Sequence, residues 1–139
     1  MESDKKQLKR DYRENPRPMG VFLIRNTVND KVFVGAGLDL PGKINRHRFQ
    51  LTMGVHPNRR LQADWNEHGS QSFTFEIFDQ LSPPEDSRHD PRPDIALLEQ
   101  LCLEQLQPFG ERGYNEPVLT REDRLKRIAA RRHADSESD

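Results

Sequence analysis

At 139 residues the chain has room for one domain with short appendages, not for two independent cores. Hydrophobic and charged residues each make up 32% of it, against roughly 45–50% and about 25% in ordinary domains, which implies a small core with a heavily solvated periphery. The net charge of −1 gives no overall pull toward polyanions, no apolar run is long enough for a bilayer span, and the polar start MESDKKQLKR argues against a secretory signal.

In chain order, residues 3–14 suit a short polar helix closed by Asn15, Pro16 and Pro18. GVFLIRN (20–26) and KVFVGAG (31–37) are rich in strand formers and flank a Thr27–Asp30 turn cluster, which predicts an antiparallel hairpin. Asp39 can cap a helix with Pro41 in its first turn, carrying Ile44, His47, Arg48 and Leu51 and ending near Gly54. Gly42 weakens that first turn by about 1 kcal/mol relative to Ala. A second helix opens at Pro57, bears Leu61 and Trp65 at i, i+4 and stops at Gly69.

SFTFEIFDQL (72–81) alternates Phe73, Phe75 and Ile77 with Thr74 and Glu76, the pattern of a half-buried third strand. It must join the hairpin, since a two-stranded ribbon is marginal in water. The segment 82–93 holds four prolines and reads as a loop. A helix capped by Asp94 is expected over about 95–107, with Ile95, Leu98, Leu101, Cys102 and Leu106 on one face and Pro108 and Gly110 ending it. Residues 120–133 suit a charged helix, and DSESD a disordered tail. The order β-β-α-α-β-α predicts an α+β fold: a small three-stranded antiparallel sheet flanked by helices, with extra helices at both termini. Cys102 has no partner for a disulfide and lies in an apolar run, so burial and a cytoplasmic location are expected.

Gly20-Val21-Phe22, followed eleven residues on by Phe33-Val34-Gly35, is the first of four segments that, in order, resemble the GIY-YIG nuclease superfamily, here the paired motifs that name it. LDLPGKINRH, NRRLQADWNEHGSQSFTFEI and LLEQLCLEQLQPFGERGYN resemble its first helix, the stretch into its third strand, and its glutamate-bearing helix. The match covers roughly 19–115 and divides the chain into an N-terminal helix and linker (1–18), the GIY-YIG-like domain (19–115) and a charged C-terminal helix with tail (116–139).

The resemblance implies a mechanism in which two tyrosines, an arginine and a glutamate surround one divalent metal and the scissile phosphate. Carried over by position, the tyrosines fall on Phe22 and Phe33 and the arginine on Lys43. The histidine four residues later is His47, the glutamate Glu99 and the late asparagine Asn115; Gly20 and Gly35 keep the motif glycines. Phenylalanine has no hydroxyl to orient water, and lysine offers a point charge in place of a bidentate fork. A lost general base alone costs about 10²–10⁴-fold. The implied endonuclease activity is therefore expected to be weak or lost, with Mg²⁺ or Mn²⁺ at Glu99 if retained and Arg46 or His47 as substitute groups.

Blander roles stand beside these. Phe22 and Phe33 suit sheet packing better than stacking on bases, Glu104 competes with Glu99, and His47 could be a packing or capping residue. His56, His68, His89 and His133 show no zinc-ligand spacing with one another. The clearest local clue to nucleic acid, DNA for preference, is Lys43, Arg46, Arg48, Arg59 and Arg60 with no acid between residues 40 and 63. Three hypotheses follow: a divergent metal-dependent endonuclease, a nucleic-acid-binding module that lost the chemistry, or a protein-interaction domain.

Overall fold

The computed structural model describes residues 17–117 and 121–137, with side chains as far as 132. The helix expected over residues 3–14 lies outside them. Strands β1 (Met19–Asn26), β2 (Val32–Gly37) and β3 (Phe73–Leu81) form one antiparallel sheet in the order β2-β1-β3. Helices α1 (Leu40–Met53), α2 (Arg59–His68), α3 (Arg92–Leu106) and α4 (Arg121–Glu137) complete the fold. No described helix is long and apolar enough to cross a membrane.

The central strand explains the layering. MGVFLIRN is buried at every position except Arg25, which is half-buried, so its alternate side chains feed two cores. Phe22 and Ile24 join Leu40, Ile44 and Leu51 of α1 and Leu61 and Trp65 of α2 on one face. Val21 and Leu23 join Val34, Ala36 and, from α3, Ile95 and Cys102 on the other. Cys102 is buried as expected, and burial with the Asp79 and Glu99 carboxylates pushes its thiol pKa up.

Several expected boundaries move. Helix α1 keeps its caps: the Asp39 carboxylate accepts from the Gly42 N–H at 3.1 Å, and Gly54 ends the helix with φ 75°. Helix α2 is capped by Asn58 rather than opened by Pro57; the Asn58 Oδ1 accepts from the Leu61 N–H at 3.0 Å. Helix α3 starts at Arg92, three residues early, because Pro93 fits a first helical turn that needs no N–H. Asp94 therefore lies inside that turn and pairs with His89 Nε2 at 2.7 Å instead of capping. Leu101, expected on the inner face, is 53% exposed. Helix α4 continues to Glu137, so the first three residues of the tail expected to be disordered are helical; its last two lie outside the described residues.

The alternation of β3 fails after Glu76. The pairing of Val21 with Asp79 and of Phe22 with Ile77 leaves Phe78 as an extra, bulged residue. Ile77 and Phe78 are both substantially exposed.

After α3 the chain returns along the free edge of β2. Val32 bridges Gly113 in parallel, and the Tyr114 N–H donates to the Val32 carbonyl at 3.0 Å. Asn115 then acts as a side-chain peptide: its Nδ2 donates to the Val34 carbonyl at 2.9 Å and its Oδ1 accepts from the Val34 N–H at 2.8 Å. Tyr114 turns into the core, where its hydroxyl donates to Asp64 at 2.6 Å and accepts from Asn26 at 3.1 Å. Burial and the Asp64 hydrogen bond push its pKa up to about 12.

Candidate functional site

Strands β1 and β2 and helix α1 bring Phe22, Phe33, Lys43 and His47 into one neighbourhood. Phe22 is fully buried and lies against Gly35, its register partner on β2. A Cβ on Gly35 would stand 2.3 Å from the tip of the Phe22 ring, so only glycine admits that ring. Gly20, the second residue of β1, has φ +143°, and a Cβ there would meet the Asp79 carbonyl. Phe33 is half-buried. The His47 ring lies 5.2 Å from the Phe22 ring and 5.5 Å from that of Phe33, between centroids. Lys43 reaches from α1 across Gly37 and donates its ammonium to the Ala36 carbonyl.

A second histidine completes the group. His56, nine residues after His47 and past the end of α1, is buried, and its Nε2 lies 2.8 Å from His47 Nδ1. Sequence spacing does not reveal the pair, because that interval matches neither a metal-ligand pattern nor a helical face. The visible signal is the His-Pro-Asn turn ahead of α2.

Neighbouring groups hold His56 in place. Its own N–H donates to Gln62 Oε1 at 3.0 Å, and its Nδ1 accepts from the Asn58 N–H at 3.0 Å. Asn58 also donates from Nδ2 to the Tyr114 carbonyl at 2.6 Å, which ties this corner to the β2 edge.

These bonds assign the protons. A backbone N–H can only donate, so His56 Nδ1 is a bare acceptor and its proton sits on Nε2. That proton points to His47 Nδ1, which must accept, leaving His47 with its own proton on Nε2. Burial lowers the His47 pKa from 6.5 to about 4, helped by the His56 ring and the Lys43 and Arg46 cations. His56 is lowered too, chiefly by burial. Near neutral pH the pair is therefore uncharged. His47 in this tautomer is a hydrogen-bond donor with no lone pair at Nε2 to take a proton. Reversing its role would put a proton on His56 Nδ1, facing the Asn58 N–H.

Phe33, His47, His56, Pro57, Asn58, Arg59, Arg60 and Glu116 line an open cleft of about 490 Å³. The five cations expected to form a basic patch do different things. Arg60 donates to the carbonyls of Gly110 and Gly113, and its guanidinium stands 6.0 Å from the Tyr114 ring. Arg48 lies 4.5 Å over the Phe75 ring. Arg46 and Arg59 are exposed and make no hydrogen bond or ion pair among the described residues. Glu116 is the one carboxylate among the lining residues.

Glu99 stands apart from this cleft. It belongs to α3, which packs on the other face of the sheet, and lines a separate opening of about 370 Å³ with Ala96, Gln100, Leu103, Glu104, Gln107 and Phe109. The described side chains close enough to share an ion are Asp64, Glu67 and His68 on α2, with ligand atoms within 4.8 Å of one another.

No family model matches the chain. Over 51 residues it is 39% identical to the intron-associated endonuclease 1 of Enterobacteria phage T4, a match covering 37% of this chain and 21% of that protein. The chain thus matches about a fifth of that relative's length. Two solved structures share the fold. A mutant of the catalytic domain of intron endonuclease I-TevI aligns with a TM-score of 0.59 and 28% identity, covering 74% of this chain and 97% of that one. The catalytic domain of homing endonuclease I-TevI aligns at 0.58 and 29%, covering 72% and 99%.

Proposed function

From a domain that shares its fold and sequence with the GIY-YIG nuclease superfamily, we propose a nuclease-like protein that holds nucleic acid, DNA for preference, in the His47–Arg59 cleft and cleaves it weakly or not at all. The observation that carries this reading is the His47–His56 pair, fixed as an uncharged donor between free cations and two phenyl rings. A phosphate oxygen there would accept from His47 Nε2–H, with Arg46 and Arg59 supplying charge and Lys43 its two remaining ammonium donors. No hydroxyl on Phe22 or Phe33 and no lone pair on His47 Nε2 is present to take a proton from water. The group suits binding better than hydrolysis.

Glu99 fits a hard divalent cation in part. It offers one half-buried carboxylate with Glu104 nearby in the same opening, and Mg²⁺ is commonly held by one or two carboxylates plus water and phosphate. Bound at Glu99, Mg²⁺ or Mn²⁺ would supply charge neutralisation to a phosphate at that opening, not to one held in the His47–Arg59 cleft.

Purified protein offered single-stranded, nicked, branched and duplex DNA and RNA, with Mg²⁺ or Mn²⁺, tests this. Binding that weakens steeply with salt and little or no cleavage is the expected result. Metal-dependent cleavage that Glu99→Ala abolishes, and that Phe22→Tyr with Phe33→Tyr increases, would make the protein a working endonuclease. Failure to bind any of these substrates would sink the reading and favour a protein-interaction domain.

A further inference from the structure

Helix α1 turns Leu40, Ile44 and Leu51 into the core and carries a different chemistry on its outer side. Arg46, Phe49 and Met53 recur at i, i+3 and i+7 and so share one face. Phe49 is 64% exposed and Met53 61%, while Val55, just past the Gly54 cap, is 65% exposed. They are the three most exposed large apolar side chains among the described residues, gathered within seven positions. A phenyl ring left in water adds nothing to folding, and contiguous apolar exposure marks a contact surface.

The surroundings indicate what makes the contact. No carboxylate occurs from residue 40 to 63. Arg46 stands one turn before Phe49, Lys43 one turn before Arg46 on the side of the cleft, and exposed Arg59 follows Val55 in the chain. Cations ranged beside an exposed aromatic ring complement a strand whose phosphates meet the cations while a base lies on the ring. An intact duplex keeps its bases stacked on each other and offers the ring no face.

We propose that Phe49, backed by Met53, stacks on an unpaired base of a strand whose phosphates meet Arg46 on the same helix face, so that single-stranded or locally opened strands are bound in preference to intact duplex. The proposal rests on the nucleic-acid reading given above.

Fluorescence anisotropy in EDTA, on a single strand, a duplex and a duplex with a central bulge, tests it. Phe49→Ala is expected to weaken binding to the single strand and the bulge roughly tenfold or more, the loss of one base stack, and to leave duplex binding unchanged. Phe49→Trp should restore binding, with its emission quenched when the strand is added; Trp65 is buried and supplies a constant background. Equal melting temperatures for the variants confirm that each folds.

Phe49→Ala acting equally on all three substrates, or on none, overturns the proposal. So does a wild-type protein that sediments as a dimer and becomes monomeric on Phe49→Ala, which would make this face an interface between copies. Arg46→Ala separates the two readings. If it weakens binding to every substrate while Phe49→Ala does nothing, the cleft stands and the stacking falls. If wild type and Arg46→Ala alike bind nothing, both fall.

Discussion

His47 and His56 differ from surface histidines in that neighbours already commit Nδ1 of His47 and both nitrogens of His56, and burial opposes charging either ring. The unfolded chain binds protons at both histidines as pH falls below about 6.5, whereas folded His47 resists until about pH 4. Between those values the unfolded state holds more protons. The pair's contribution to stability is therefore fully present above pH 6.5 and is lost as pH falls toward 4. Urea unfolding midpoints should drop between pH 7 and pH 5, and His47→Asn should flatten that dependence. An unchanged midpoint in the wild type would mean that the rings charge without cost. In the sequence the two histidines look unrelated, because what joins them is a helix end and a turn. Arg60 is opaque for a similar reason: a cation bonded to its own backbone has the same letter as one awaiting phosphate.

At the level of elements, the order of strands and helices is legible because apolar runs, caps and turn residues agree along most of the chain. Asp39 and Gly54 both act where the local pattern places them. Asp94 does not, since its carboxylate finds His89 and Pro93 lets the helix begin sooner. The bulge at Phe78 is hidden because a strand shifted by one residue shows no mark in its own composition. Asn115 is identified in the sequence by position alone; in the fold it finishes the pairing of β2. Asn115→Ala should leave the Val34 N–H and carbonyl without partners and cost about 1–3 kcal/mol. Urea titration would read that loss, together with faster hydrogen exchange at the Val34 amide. Unaltered exchange would show that the edge is held by the Tyr114 backbone bond.

At the scale of the whole molecule, a net charge of −1 conceals separated charge: residues 40–63 carry no acid, and the acids cluster elsewhere. If Lys43, Arg46 and Arg59 each neutralise one phosphate, log K against log salt should fall with a slope of about −2.7 on a duplex and about −2 on a single strand. Arg59→Glu should flatten it measurably in a filter-binding series. A slope near zero in the wild type would mean that these cations meet no phosphate. The small core forecast by composition is present, divided in two by a strand buried on both faces. One architectural detail bears on how such a sheet behaves in a crowded solution. With β2 sealed by residues 113–115, the described residues leave strand recruitment one open rail, along β3, and there the kink at Phe78 and the acids Glu76 and Asp79 disfavour a visitor. Two molecules could meet rail to rail but a third would find no place to join, so misassembly through this sheet ends at a pair instead of growing into a fibril.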